Sequence, residues 1–200
     1  MKWARLNLGM VLVFAFATTS RAQDRVEVFG GYSYVRASVN VNATGQLICP
    51  GPPCPTKTFS ANPNLNGWEA NLRYKPLRTI GLVADFGGNY GALPGNLGNE
   101  STHVNTYLLG PQICFPGRIS PFVHALFGGA HESTGSGVGN LYFFPAHSSN
   151  AFALALGGGV DVKALQSVHV RLIQVEYLGS NLPPSFQNQV RTSAGLVFQF

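Results

Sequence analysis

The sequence predicts an all-β protein, folded as an eight-stranded antiparallel up-and-down transmembrane β-barrel. Three observations lead to this prediction: apolar and polar residues alternate along several segments, most of these segments are about ten to thirteen residues long, and the connections between them are alternately long and short. Strands of soluble proteins average about five or six residues, whereas a tilted strand needs about nine to eleven to cross a bilayer. Long loops at one end and short turns at the other are typical of membrane-spanning barrels.

Residues 1–22 have the composition of a secretory signal peptide. Two basic residues precede an apolar run from Leu8 to Ala17, and the small residues Ser20 and Ala22 stand before the expected cleavage site. Because this run is too short to cross about 30 Å of hydrocarbon as a helix, we expect it to be cleaved rather than retained as an anchor. Residues 23–200 then form the barrel domain.

Cleavage would lower the positive charge of the protein. Three of the 13 Lys and Arg residues lie before residue 23, which leaves ten against eight acidic residues. The rest of the chain has no run of basic residues of the kind that binds nucleic acid, so no nucleic-acid partner is expected. No apolar run after residue 22 reaches the about 18 residues that a transmembrane helix needs.

The alternation also predicts which side chains face lipid and which face the barrel interior. Successive side chains of a strand point to opposite faces, and lipid offers a charge no hydrogen-bond partner. The residues expected to face outward are Trp68, Leu72, Leu82, Phe86, Leu154, Leu156, Leu196 and Phe198. The residues expected to form a charge network in the lumen are Glu69, Arg73, Asp85, Asp161, Arg171, Glu176 and Arg191.

One segment breaks the alternation, and two others are ambiguous. Between Leu172 and Ile173 the apolar residues change parity, and one extra residue, a β-bulge, would bring four polar residues to one face: His169, Arg171, Gln174 and Glu176. We therefore predict a bulge at this point. Both faces carry apolar residues in the segments 103–110 and 121–130.

Three segments carry a family resemblance: Val26–Tyr34, Val170–Tyr177 and Ala194–Phe200. With them the chain resembles, from end to end of residues 23–200, the small outer-membrane β-barrels that include the transmembrane part of OmpA and OmpX-like proteins. The resemblance implies an integral protein of the bacterial outer membrane with both termini periplasmic. It also implies contact with outer-membrane lipids and recognition by the barrel-assembly machinery, with Leu196, Phe198 and Phe200 as the assembly signal.

The expected function is non-enzymatic, with external loops that serve adhesion, ligand contact or envelope integrity. Side chains fill the interior of a barrel of eight strands, and we predict no catalytic residue, cofactor or metal site. A narrow proton or ion path through the charge network is an alternative to a purely structural role.

Two other functions stay open at this point. Some barrels of this family are lipid A deacylases with a His-x-Ser pair near the external rim, and His131-Glu132-Ser133 is similar. In such a pair the histidine would act as the base that activates the serine. The second alternative is a secreted, soluble β-sandwich whose apolar faces turn inward.

The three cysteines fall into two groups. Cys49 and Cys54 enclose the turn-forming residues Pro-Gly-Pro-Pro in the first long connection, and an oxidising compartment favours a local disulfide between them. Cys114 is expected to be a free thiol in a short turn.

Overall fold

The computed structural model describes residues 25–37, 43–47, 56–59, 64–92, 101–139, 142–144, 146–181 and 187–200. These ranges contain twelve strands: β1 (Val26–Ala37), β2 (Ala43–Leu47), β3 (Thr56–Phe59), β4 (Asn64–Tyr74), β5 (Ile80–Ala92), β6 (Ser101–Cys114), β7 (Ile119–Thr134), β8 (Gly137–Gly139), β9 (Tyr142–Phe144), β10 (His147–Lys163), β11 (Val168–Ser180) and β12 (Gln187–Gln199). The predicted signal peptide and the Cys49–Cys54 pair lie outside the described residues. Within the described ranges no helix is long and apolar enough to cross a membrane.

Eight of the strands close into an antiparallel barrel in the order β1-β12-β11-β10-β7-β6-β5-β4. The first and last strands pair along most of their length, from Glu27 opposite Gln199 to Ala37 opposite Gln189. This closure confirms the predicted eight-stranded up-and-down barrel. It also shows that the alternative of two packed sheets is wrong, because the eight strands form one closed sheet.

The closed sheet has an apolar outer surface and a polar interior. Of the eight residues expected to face outward, Leu154 is half-buried and the other seven are 42–50% exposed. The interior contains arginine, aspartate and glutamate side chains that are 0–3% exposed. This is the reverse of a soluble protein, in which charged residues are almost never fully buried, and it suits a barrel surrounded by lipid.

The two ambiguous segments have a clear alternation in the structure. Along β6 every even-numbered residue from Thr102 to Cys114 is buried and every odd-numbered residue is exposed. On β7 the residues Phe122, His124, Leu126 and Ala130 point inward. Hydropathy alone could not reveal this parity, because these lumen positions are partly apolar.

Glycines on the outer surface lie beneath aromatic rings. A Cβ atom added to Gly88 would come within 2.7 Å of the indole nitrogen of Trp68, and one added to Gly129 would come within 2.4 Å of the ring of Tyr107. Because each ring covers the backbone of the neighbouring strand, the missing side chains let aromatic groups lie flat against the barrel wall.

The predicted β-bulge is present in β11. The register between β11 and β12 shifts between Arg171 and Gln174, and both Leu172 and Ile173 are exposed on the outer face. The polar residues on either side of the bulge therefore return to the lumen, where Gln174 is fully buried.

A second sheet, in the order β3-β2-β9-β8, is formed by two of the long connections. Strands β2 and β3 lie between β1 and β4, whereas β8 and β9 lie between β7 and β10. Pairing of Gln46 and Leu47 with Phe143 and Tyr142 joins the two connections. The sequence predicts loops for both connections, because strands of three to five residues are too short to show a period.

Cys114 is not in a turn, as expected from the sequence, but is the last residue of β6. Its side chain is buried and carries a free thiol whose Sγ lies 3.6 Å from the backbone oxygen of Arg78. The alternation of β6 continues to its last residue and so turns Cys114 toward the lumen.

Candidate functional site

The charged interior contains two groups of side chains, and the first is centred on Arg191 in the middle of the lumen. We call it the mid-lumen cluster, formed by Arg191, Glu69, Asp85, Glu176, Gln174, His124, Thr106 and Ser193. The Arg191 guanidinium donates a hydrogen bond through Nη2 to Asp85 Oδ1 at 2.7 Å and another through Nε to Glu176 Oε2. Its Nε also lies 3.6 Å from Glu69 Oε2. One guanidinium thus links carboxylates from three different strands.

Neutral side chains complete the coordination of these carboxylates. The Gln174 amide donates to Glu69 Oε1 at 2.6 Å and to Glu176 Oε1 at 2.8 Å. Ser193 donates its hydroxyl to Glu69 Oε2, and Arg191 Nη1 donates to Thr106 Oγ1 at 3.2 Å. Since buried carboxylates need several donors to offset the loss of water, these bonds explain how Glu69 and Glu176 are accommodated.

The mid-lumen cluster still has more acidic than basic groups. Three carboxylates surround a single arginine, and Asp85 Oδ2 accepts no hydrogen bond among the described residues. His124 Nε2 lies 2.6 Å from Glu176 Oε1.

The second group lies where the lumen meets the short turns, and we call it the turn-end cluster: Glu27, Arg73, Lys75, Asp161 and Arg171 with His169 and Gln199. Arg73 Nη1 donates to Glu27 Oε2 at 2.6 Å, and Lys75 pairs with the other oxygen of Glu27. Arg171 binds Asp161 through two hydrogen bonds of 2.7 and 3.1 Å. Here three cations face two carboxylates.

Gln174 joins the two clusters. Arg171 Nη1 donates to the side-chain oxygen of Gln174 at 2.5 Å, while the amide nitrogen of the same side chain binds the glutamates of the mid-lumen cluster. The bulge in β11 therefore positions the residue that connects an arginine of one cluster to the carboxylates of the other.

Glycine residues provide the space for the mid-lumen cluster. A Cβ atom added to Gly87 would approach Arg191 Nη1 and Thr106 Oγ1 to 2.8 Å, and one added to Gly157 would approach Glu176 Cγ to 2.6 Å. The wall formed by β6, β7 and β10 contributes small or apolar side chains instead, among them Leu108, Leu126, Ala153 and Ala155.

All seven residues of the expected lumen network lie in these two clusters. The predicted network did not include Glu27, Lys75 and His124, whereas Gln174 and His169 were expected on the same polar face of β11 as Arg171 and Glu176 because of the bulge. Glu27 and Lys75 stand at positions of the alternation that face the lumen, so the alternation alone could have identified them as members of the network. His124 lies on the ambiguous segment of β7, and no sequence signal identified it.

Comparison with solved structures tests the fold. Ail, the attachment invasion locus protein of Yersinia pestis, aligns over 87% of this chain and 98% of its own, with a TM-score of 0.53 and 16% identity. Neisserial surface protein A aligns over 88% of this chain and 97% of its own, with a TM-score of 0.58 and 11% identity. The fold is that of a small outer-membrane β-barrel. No protein-family model and no curated protein sequence matches the chain.

Side chains from different walls of the barrel meet across the described lumen. The mid-lumen cluster bridges the interior from β5 to β11 and β12 through Asp85, Arg191 and Glu176. Nearer the long connections, Val35, Leu65 and Val104 pack as a separate apolar group. Paired charges in the middle of the lumen and an apolar group nearer the long connections both link strands across the interior, and such links are suited to holding the barrel closed.

His131 and Ser133 lie near the long-connection end of β7 and share its outer face. The ring of His131 is 2.8 Å from the side-chain oxygen of Asn150 on β10. Among the described residues Ser133 has no hydrogen bond to His131, and the same ranges contain no group of three His, Cys, Asp or Glu side chains able to hold a metal ion.

Proposed function

We propose that this protein is a non-enzymatic, integral protein of the bacterial outer membrane that presents a contact surface outside the cell. The observation that carries the proposal is the second sheet, β3-β2-β9-β8, formed by two long connections at one end of the barrel. A hydrogen-bonded sheet keeps its backbone in a defined arrangement, which a recognition surface requires. Binding through this surface would serve adhesion or ligand contact.

The arrangement of the ends supports this orientation. The start of β1 and the end of β12 lie at the same end of the barrel as the short turns. The strand ends that lead into the long connections lie at the opposite end. In outer-membrane barrels short turns face the periplasm and long loops face outward, so both termini would be periplasmic. The name of the similar barrel Ail refers to attachment and invasion, which supports adhesion as the role of the external sheet.

The contact function is tested by shortening the external connections. A variant in which residues 40–61 and 136–145 are replaced by short Gly-Ser linkers removes the sheet and keeps all eight barrel strands. We expect bacteria that produce it to lose binding to cultured cells and matrix proteins, while the amount of folded barrel is unchanged. The matched control lengthens the turn at 164–167 by the same Gly-Ser linker. Undiminished binding by the shortened variant would refute the contact function.

The lipid exposure of the outer face is tested by Leu156→Arg. Because a charge at the lipid face near mid-membrane costs about 2–4 kcal/mol in a barrel, we expect the free energy of unfolding in lipid vesicles to fall by that amount and the yield of folded barrel to drop. Ala155→Ser, one residue away and facing the lumen, is the control and should be milder. An equal loss in both variants would contradict a lipid-facing Leu156.

The enzymatic alternative has its own test. His131 and Ser133 lie on one face near the rim, so a lipid-modifying activity would depend on them. We expect mass spectrometry of lipid A from bacteria with and without the protein to show the same acyl chains. Loss of an acyl chain in the presence of the protein, abolished by Ser133→Ala, would establish a deacylase instead.

A further inference from the structure

The lumen contains a cavity of about 190 Å³ at the end where the short turns join the strands. It is separate from the external sheet and has no part in the proposed contact function. Since a water molecule occupies about 30 Å³ in the liquid, the cavity has room for a small polyatomic ion with part of its hydration shell. Its walls come from several barrel strands and, in the short turns, from Lys75, Arg78, Phe115, Pro116 and Gly117.

The lining of this cavity has a surplus of positive charge. Four cationic side chains, from Arg73, Lys75, Arg78 and Lys163, face two carboxylates, from Glu27 and Asp161. With His169 neutral the lining therefore has a net charge of +2. Arg78 and Lys163 are exposed, and neither has an ion-pair partner among the described residues.

A second, independent observation points to a missing partner for the buried part of the lining. Arg73 is only 3% exposed, yet its Nε and Nη2 groups donate no hydrogen bond. Asp161 Oδ2 is 3.6 Å from Nη2, which is too far for a bond of normal length. The Nε2 atom of His169, which is 6% exposed, is also without a partner. Buried donors of this kind are normally satisfied.

We propose that this cavity binds a small oxyanion of the phosphate type. The guanidinium of Arg73 presents planar donors that fit tetrahedral oxyanions, and the surplus of two positive charges matches a dianion. Lys163 and Arg78 lie at the mouth, where they attract an anion without being buried themselves. Free phosphate and a phosphorylated headgroup share this chemistry.

The free thiol of Cys114 lines the same cavity and reports its occupancy. The test uses the full-length barrel in neutral phosphatidylcholine vesicles with Cys49→Ser and Cys54→Ser, so that Cys114 is the one remaining thiol. The measured quantity is the rate at which the small neutral reagent methyl methanethiosulfonate modifies Cys114. We expect inorganic phosphate to slow this rate saturably, and chloride at equal ionic strength to have no such effect.

Two charge-matched variants separate a built site from general attraction. In Arg78→Gln/Lys163→Gln the affinity for phosphate should fall by at least about tenfold, which corresponds to about 1.4 kcal/mol. The variant Arg36→Gln/Arg118→Gln removes the same charge from exposed positions that do not line the cavity. Its affinity for phosphate should be unchanged. All four positions are exposed, so both variants should fold.

The urea midpoint of unfolding provides a second measurement of phosphate binding if Cys114 reacts too slowly in any sample. A ligand that binds only the folded barrel stabilises it, so phosphate should raise the urea midpoint of the unaltered barrel and of the Arg36→Gln/Arg118→Gln variant only. Protection by vesicles that contain an anionic phospholipid, without added phosphate, would identify the headgroup as the source. Equal effects of chloride and phosphate, or an equal loss in both double variants, would overturn the proposal.

Discussion

The two charge clusters of the lumen use the same residue types but differ in their balance and access. The mid-lumen cluster places three carboxylates around Arg191, and its members are enclosed. The turn-end cluster places three cations around two carboxylates and borders a cavity. The mid-lumen cluster depends on a single arginine, whereas the turn-end cluster has one cation more than it has carboxylates. We infer that the first stabilises the barrel and that the second can accept a ligand.

The strongest test of this difference is Arg191→Met. Removal of the guanidinium leaves Glu69, Asp85 and Glu176 buried without a cation from the barrel strands, and loss of one partner of a buried ion pair costs about 3–5 kcal/mol. We expect the free energy of unfolding in lipid vesicles to fall by at least that amount, or the barrel not to form. Urea titration followed by tryptophan fluorescence measures the change. An unaltered urea midpoint would contradict the dependence on Arg191.

A smaller effect is expected from a pair of glycines on β5 that both face the lumen. In Gly87→Ala the new methyl group would lie 2.8 Å from Arg191 Nη1 and from Thr106 Oγ1, so we expect overpacking to cost about 1–3 kcal/mol. In Gly81→Ala the nearest atoms lie at 3.2–3.4 Å and are the backbone oxygen of Tyr74 and side-chain carbons of Arg73 and Lys75.

The two long side chains can shift toward the cavity, and only the contact with the Tyr74 oxygen then remains tight, so Gly81→Ala should cost less stability than Gly87→Ala. The urea midpoints of the two variants provide the comparison. Equal destabilisation would show that the two ends of the lumen are packed equally tightly.

A small effect is also expected when Arg73 is replaced by methionine, the same exchange as in Arg191→Met. Glu27 keeps Lys75 and Gln199 as partners, and Asp161 keeps its two bonds to Arg171. Replacing a cation that also has unsatisfied donors by a side chain of similar size should change the free energy of unfolding by about 1 kcal/mol or less. A loss as large as that of Arg191→Met would remove the distinction between the clusters.

The sequence predicts the barrel well because every lumen-facing charge has a strong preference for one side of a membrane-spanning strand. The change of parity at Leu172 and Ile173 was enough to locate the bulge, since a one-residue shift moves a whole strand face. The same reasoning failed for Cys114, because a lumen-facing cysteine next to a turn has no polar contrast with its neighbours. Pairing within the clusters could not be predicted, because it joins residues distant in sequence.

Several hydrogen bonds of the lumen join residues that are synthesised far apart in time. Gln199 bonds to Glu27 across 172 positions of the chain, Ser193 bonds to Glu69 across 124, and Arg191 bonds to Asp85 across 106. Glu69 and Asp85 are synthesised long before Arg191, so a chain halted before β12 would bring Glu69, Asp85 and Glu176 into a half-built lumen without the guanidinium that they share. Contacts of such long range also form slowly. The balance of charge in the middle of the lumen thus depends on the final strand, and a truncated chain is disfavoured before it can close.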